Sequence, residues 1–203
     1  MKRDNSTFPF KRALRTKALA WVDAPVVMET HGGYGKLFDA CYAHVERGIV
    51  FEKDERKADF LAEQRPTWAV YQADCVNALS EGAGAHLLVN VLDLDPYGEP
   101  WPVLDAWFAS DRPRAAHLLV VVNDGLRQKI RLGGAWSVHS LADAVRQFGN
   151  NLHGVYLEVA RYLMESKAAQ AGYTLDRFVG YYCGFQDQMT HYAGLLVQGG
   201  GDA

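Results

Sequence analysis

The sequence is poor in the residues from which metal centres, disulfide frameworks and membrane spans are built. Its 203 residues include three cysteines, Cys41, Cys75 and Cys183. They are far apart, odd in number and form no CxxC pair, which excludes a disulfide-stapled scaffold and a zinc ribbon. The seven histidines are scattered without HxH or HExxH spacing, so no metal is expected. No apolar run approaches the roughly 20 residues that a bilayer span requires. The start of the chain carries charges but lacks the apolar stretch of a signal peptide. The expectation is a cytoplasmic protein with no membrane partner.

Charge of one sign is also scarce. A formal net charge of -3 argues against a chain that coats a polyanion over its whole surface, but it leaves room for a local basic patch. One such patch opens the chain, with Lys2, Arg3, Lys11, Arg12, Arg15 and Lys17 against Asp4 alone. It reads either as a solvated start or as an arm that contacts phosphates. Residues 1–20 are therefore set apart as a basic arm or helix. Residues 21–198 read as one domain and residues 199–203, glycine-rich, as a flexible tail.

Apolar runs alternate with helical patterns. Strands are expected at residues 25–29, 48–52, 68–73, 86–92 and 116–122. Leu37, Cys41 and Val45 share one helical face after the first strand, and Ala58, Leu61 and Ala62 share another after the second. The clearest helix is expected over residues 150–171. There Leu152, Val155, Tyr156, Val159, Ala160, Leu163 and Met164 form one stripe, and Gly172 stops it. Strands 175–183 and 191–197 close the chain across a linker too short for a crossover, so they must pair antiparallel. The pattern predicts an α/β fold: a doubly wound, mostly parallel seven-stranded sheet with a C-terminal antiparallel β-hairpin.

Chemistry in such sheets gathers at the carboxyl ends of the strands. The first strand runs into Glu29-Thr-His-Gly-Gly-Tyr-Gly35. Glycines there allow tight turns and let a ligand approach the main chain closely. Glu52 ends the second strand, where it suits ribose hydroxyls, and Asp74 follows the third, where it suits an adenine amine. The loop is not a dinucleotide fingerprint, because Phe38 stands in the place of the third glycine. Its acidic start, Glu29, disfavours a pyrophosphate and suits a cationic amino-acid moiety. These features point to S-adenosylmethionine rather than NAD.

On these residues the chain resembles a class I S-adenosylmethionine-dependent methyltransferase over about residues 20 to 198. The family's first loop reads roughly E/D-x-G-x-G-x-G. Glu29, Gly33 and Gly35 match it, Gly32 is added, and His31 replaces the first glycine. The resemblance implies that this loop holds the methionine end of the cofactor. It also implies that Glu52 holds the ribose and that Asp74 with Cys75 borders the adenine. The stretch Asp93-Leu-Asp-Pro-Tyr-Gly-Glu-Pro is similar, more narrowly, to the D-x-D-P-F-G-S-P loop of tRNA guanine exocyclic-amine methyltransferases. Those enzymes usually carry a further RNA-binding domain, for which this chain has no room.

The resemblance implies methyl transfer to an amine nitrogen, with RNA favoured over DNA as partner. Asp95 is the expected catalytic acceptor of the amine N–H bonds. Pro96 would fix the loop and offer its carbonyl, and Tyr97 would stack on the base. Asp93 either contacts the cofactor or braces the loop. After the fifth strand, Arg127 and Arg131 with Trp136 read as substrate-binding residues or as a solvated connection. The alternatives are a small-molecule or protein amine as acceptor, or an idle methyltransferase-like binding subunit.

Overall fold

The apolar runs become seven strands in the computed structural model, which describes residues 7–96, 98–132, 140–149 and 151–199. They are β1 (Val27–Glu29), β2 (Gly48–Glu52), β3 (Ala69–Gln72), β4 (Val91–Leu94), β5 (His117–Asp124), β6 (Tyr173–Cys183) and β7 (Met189–Gln198). The helices are α1 (Phe8–Leu19), α2 (Glu55–Gln64), α3 (Cys75–Ser80), α4 (Trp101–Ala109), α5 (Leu126–Arg131), α6 (Ser140–Phe148) and α7 (Tyr156–Gln170). A π-helical turn (Phe38–Tyr42) follows β1, and a 3-10 turn (Phe185–Asp187) joins β6 to β7. Lys2, Arg3, Tyr97, Trp136 and residues 200–203 lie outside the described residues.

One sheet holds all seven strands in the order β3-β2-β1-β4-β5-β7-β6. The first five run parallel, and β7 enters antiparallel between β5 and β6. The chain reverses direction in the strand order between β1 and β4, where open α/β sheets form their crevice. Both faces are covered. Trp101, Trp107, Tyr156 and Leu163 from α4 and α7 pack on one face. Leu14 and Ala18 of α1, Tyr42 of the π-helical turn and Leu61 of α2 pack on the other. This two-sided burial is why the central strands read as unbroken apolar runs.

Two expected elements shift. The fourth strand begins at Val91 rather than at residue 86, and it runs through Asp93 to Leu94. Leu87 and Leu88 are apolar but sit in the connection after α3, with Leu88 exposed. Asn90 marks the true start, because its side chain accepts from the Val26 N–H at 2.7 Å and ties β4 to the entry of β1. The strand thus carries a buried carboxylate, Asp93, inside it. The long helix also starts late, at Tyr156, with a turn over residues 152–155 before it. Its C-terminal stop is as expected, with Gly172 at φ +79°.

Candidate active site at the tips of the central strands

Register places the tips side by side. Glu29 of β1 lies opposite Val50 of β2 on one side and Asp93 of β4 on the other. The glycine loop leaves β1 here, and each glycine has a separate reason to be one. A side chain at Gly32 would put its Cβ 2.5 Å from a Val50 methyl, because the loop backbone lies on β2 with Gly32 N–H bonded to Phe51 O. Gly33 and Gly35 have φ of +56° and +70°, a region other residues enter at a cost. Above Gly33 the space is open.

Glu52 reaches the same loop from β2. Its Oε2 accepts from Gly33 N–H at 2.8 Å and its Oε1 accepts from Asp54 N–H at 3.0 Å. Asp74 caps α3, accepting from Val76 and Asn77 N–H, and its side chain stays 40% exposed. His31 links loop and α3. Its Nδ1 is 2.9 Å from Thr30 Oγ1, and its Nε2 faces Cys75 Sγ at 3.8 Å. Burial lowers the His31 pKa and keeps the ring neutral.

Two of the expected cofactor contacts are already engaged inside the protein. Glu29 is 1% exposed and accepts from Arg65 Nη1 at 2.5 Å. The guanidinium of Arg65 lies over the rings of Phe38 and Trp68. Burial pushes the Glu29 carboxyl up to about 7, against the opposing pull of Arg65. Glu29 thus supports the loop from below rather than facing out of it. Asp93 is wholly buried and accepts from Arg15 Nε at 2.7 Å, Arg15 Nη2 at 2.5 Å and Tyr42 OH at 2.6 Å. Of the two roles left open for Asp93, its geometry is that of the brace.

Asp95 stands two residues on and is different. Its carboxylate is 18% exposed, and both oxygens accept from Lys11 Nζ, at 2.6 and 2.8 Å. Burial by itself would raise its pKa, but Lys11 and then Arg15 outweigh it and hold the carboxyl below its usual range. The side-chain NH2 of Asn123, fully buried at the end of β5, lies beside it without closing a hydrogen bond. The Pro96 carbonyl accepts from Gly98 N–H at 3.0 Å. Gly98 O in turn accepts from Gly125 N–H at 2.9 Å, and a Cβ on Gly125 would meet Gly98 backbone at 3.3 Å. The acidic loop is therefore seated directly on the end of β5.

In the stretch after β5, Arg127 is committed inside the protein. Arg127 is 8% exposed. It donates to His153 O at 3.0 Å and to Asp187 O, with its guanidinium 3.9 Å from the Tyr182 ring centre. It fastens α5 to the β6–β7 turn. Arg131 is exposed and reaches Gln186.

Lys11 and Arg15, which read from sequence as part of a phosphate-contacting or solvated start, ion-pair with the acidic stretch at Asp95 and Asp93. The one available signal was their spacing of four on a helix. Asp124 had no signal beyond following a strand. It is wholly buried and accepts from Tyr156 OH, Tyr192 OH and Leu126 N–H at 2.9, 2.8 and 2.7 Å. Burial raises its carboxyl to about 6 despite these donors.

No model of a protein family matches the sequence, and no curated protein does. Solved structures do match. Trm1 from Pyrococcus horikoshii, in complex with S-adenosyl-L-methionine, superposes with a TM-score of 0.64 at 13% identity, covering 95% of this chain and 55% of that one. The present chain thus spans about half the length of that protein. TYW2 from M. jannaschii, in complex with AdoMet, gives 0.61 at 11% identity over 98% of this chain and 78% of that one. The N-methyltransferase NodS from Bradyrhizobium japonicum, in complex with S-adenosyl-L-homocysteine, gives 0.62 at 12% identity over 97% and 89%. The fold is that of the class I S-adenosylmethionine-dependent methyltransferases, with their Rossmann-like sheet and terminal antiparallel strands.

Proposed function

We propose that this protein is an S-adenosylmethionine-dependent methyltransferase whose acceptor is an amine nitrogen of a nucleic-acid base, with RNA favoured over DNA. The observation that carries the reading is the pairing of two features across one strand boundary. A glycine loop with open space above Gly33 ends β1, and an ionised carboxylate, Asp95, follows the neighbouring β4.

The residues fit the cofactor. Gly33 leaves room for the methionine portion, Gly35 turns the loop at positive φ against Arg65 and Leu61, Glu52 faces the same loop for the ribose, and Asp74 with Cys75 borders the next strand tip for the adenine. When bound, the group supplies a sulfonium methyl already activated toward displacement, so this chain's residues need only place the nucleophile. Positioning of this kind is worth several kcal/mol, of order 7–11 in the best intramolecular cases. Asp95 accepts the amine N–H bonds, which orients the nitrogen and restores lone-pair character lost to the ring. The exposed Arg131 and the segment carrying Trp136 are the substrate side of the proposal. The modest acidity of the chain and the internal commitment of Arg127 favour a small-molecule amine as second reading.

Incubation with labelled S-adenosylmethionine and separate pools of tRNA, rRNA, DNA and metabolites tests this, followed by nucleoside mass spectrometry. Label in RNA on a base amine is the expected result. Label in metabolites alone transfers the reading to the small-molecule acceptor. Asp95→Asn is expected to lower transfer at least about 100-fold while cofactor affinity stays within a few-fold. Unchanged turnover removes Asp95 from its role.

A further inference from the structure

Helix α1 meets the acidic loop in register. Four residues along a helix advance about 6 Å, and two residues along a strand advance about 6.6 Å. Lys11 and Arg15 are four apart, Asp93 and Asp95 two apart, and the pairs match one to one: Arg15 on Asp93, Lys11 on Asp95. The two pairs are not equivalent. Arg15–Asp93 is sealed at 0% exposure on both sides, whereas Lys11 and Asp95 retain 20% and 18%. One pair anchors the helix, and the other is partly open to solvent.

We propose that Lys11 is a positioning residue for methyl transfer: its ammonium, bridging both oxygens of Asp95, keeps that carboxylate charged and turned toward the acceptor. This rests on Asp95 being the acceptor of the amine. The ammonium occupies the side between the two oxygens, and the outer lone pairs remain for the amine of the substrate. Without the ammonium at this spot, burial disfavours charge on Asp95 and only the weaker, more distant pull of Arg15 opposes it. The remaining groups facing Asp95 do not replace Lys11. Arg15 is bound to Asp93, and Asn123 of β5 is neutral. His31 of the glycine loop and His191 of β7 have their pKa values lowered by burial, His191 to about 3, so neither is a cation near neutral pH.

The experiment follows the 13Cγ resonance of Asp95 with pH in the full chain without cofactor, assigned by its loss in Asp95→Asn. Wild type, Lys11→Met, Lys11→Gln and Lys11→Arg are compared. The midpoint is expected to rise by at least about one pH unit in Lys11→Met and Lys11→Gln, a tenfold change in proton affinity, and to stay low in Lys11→Arg. Lys11 is partly exposed on a helix, so the Gln variant serves if the Met variant does not fold. On whichever pool accepts label, the acid limb of kcat/KM should move up by the same amount, with kcat restored by Lys11→Arg. A midpoint unmoved by loss of the ammonium overturns the proposal, and so does a moved midpoint with an unmoved pH–rate profile. If wild type labels no pool, the functional reading fails on its own, and the titration still decides whether Lys11 sets the state of Asp95.

Discussion

Arg15 and Asp93, 78 residues apart in sequence, form a two-pronged ion pair from which solvent is excluded on both sides. The pair lies between α1 and β4, and Tyr42 OH adds a third donor to the carboxylate. It explains why an acid continues a buried strand that composition alone would end. It also makes α1 part of the site rather than an appendage to it.

Removing one member of that pair leaves a buried charge without compensation. Arg15→Met is expected to destabilise the fold by about 3–5 kcal/mol, read as a lower urea midpoint. The double variant Arg15→Met with Asp93→Leu should recover part of this loss, since apolar replacement of a buried pair is often neutral. A double variant no better than the single would show that the pair's hydrogen bonds, not its desolvated charge, dominate.

Asp124 predicts a pH dependence with a definite sign. Its folded pKa, about 6, lies above the ordinary carboxyl value of about 3.9, so the folded chain binds the proton more tightly. Its contribution is therefore fully favourable below about pH 4 and is lost as pH rises through about 6, a change of about 3 kcal/mol. His191 works in the opposite sense, gaining stability as pH rises, and it cancels in a comparison between variants. Urea unfolding of wild type and Asp124→Asn at pH 4 and pH 7 isolates the carboxyl. Wild type should lose stability relative to the variant across that interval, and a flat difference would refute the assignment.

Arg127→Ala should act through the fold. Losing two carbonyl bonds and the contact with Tyr182 is expected to lower stability by about 1–3 kcal/mol. Any loss of nucleic-acid affinity that accompanies it should have the same salt slope as wild type. A slope reduced by about one unit would restore Arg127 to phosphate contact.

The hydrophobic pattern made the sheet legible, and β2 falls on the expected residues 48–52 because apolar period and glycine boundary agree there. Residues 86–92 misled for a physical reason. Leu87 and Leu88 belong to the connection after α3, while Asp93 and Leu94 complete the strand because Arg15 reaches the carboxylate from another element. The acids and glycines of the site were visible because they follow strand ends along the chain. Their partners were not, because Arg65 for Glu29, Lys11 for Asp95 and Gly125 for the acidic loop are brought in by topology rather than spacing.

The helix that holds the acidic loop packs against β5 and β7, and Tyr181 of β6 donates to its Phe10 carbonyl. The first helix of the chain thus rests on a surface furnished by the last strand. Because α1 precedes β5 and β7 in the chain, the surface that seats it is complete only once β7 has been made. A chain halted before β7 lacks part of the seat that holds Lys11 and Arg15 against Asp95 and Asp93.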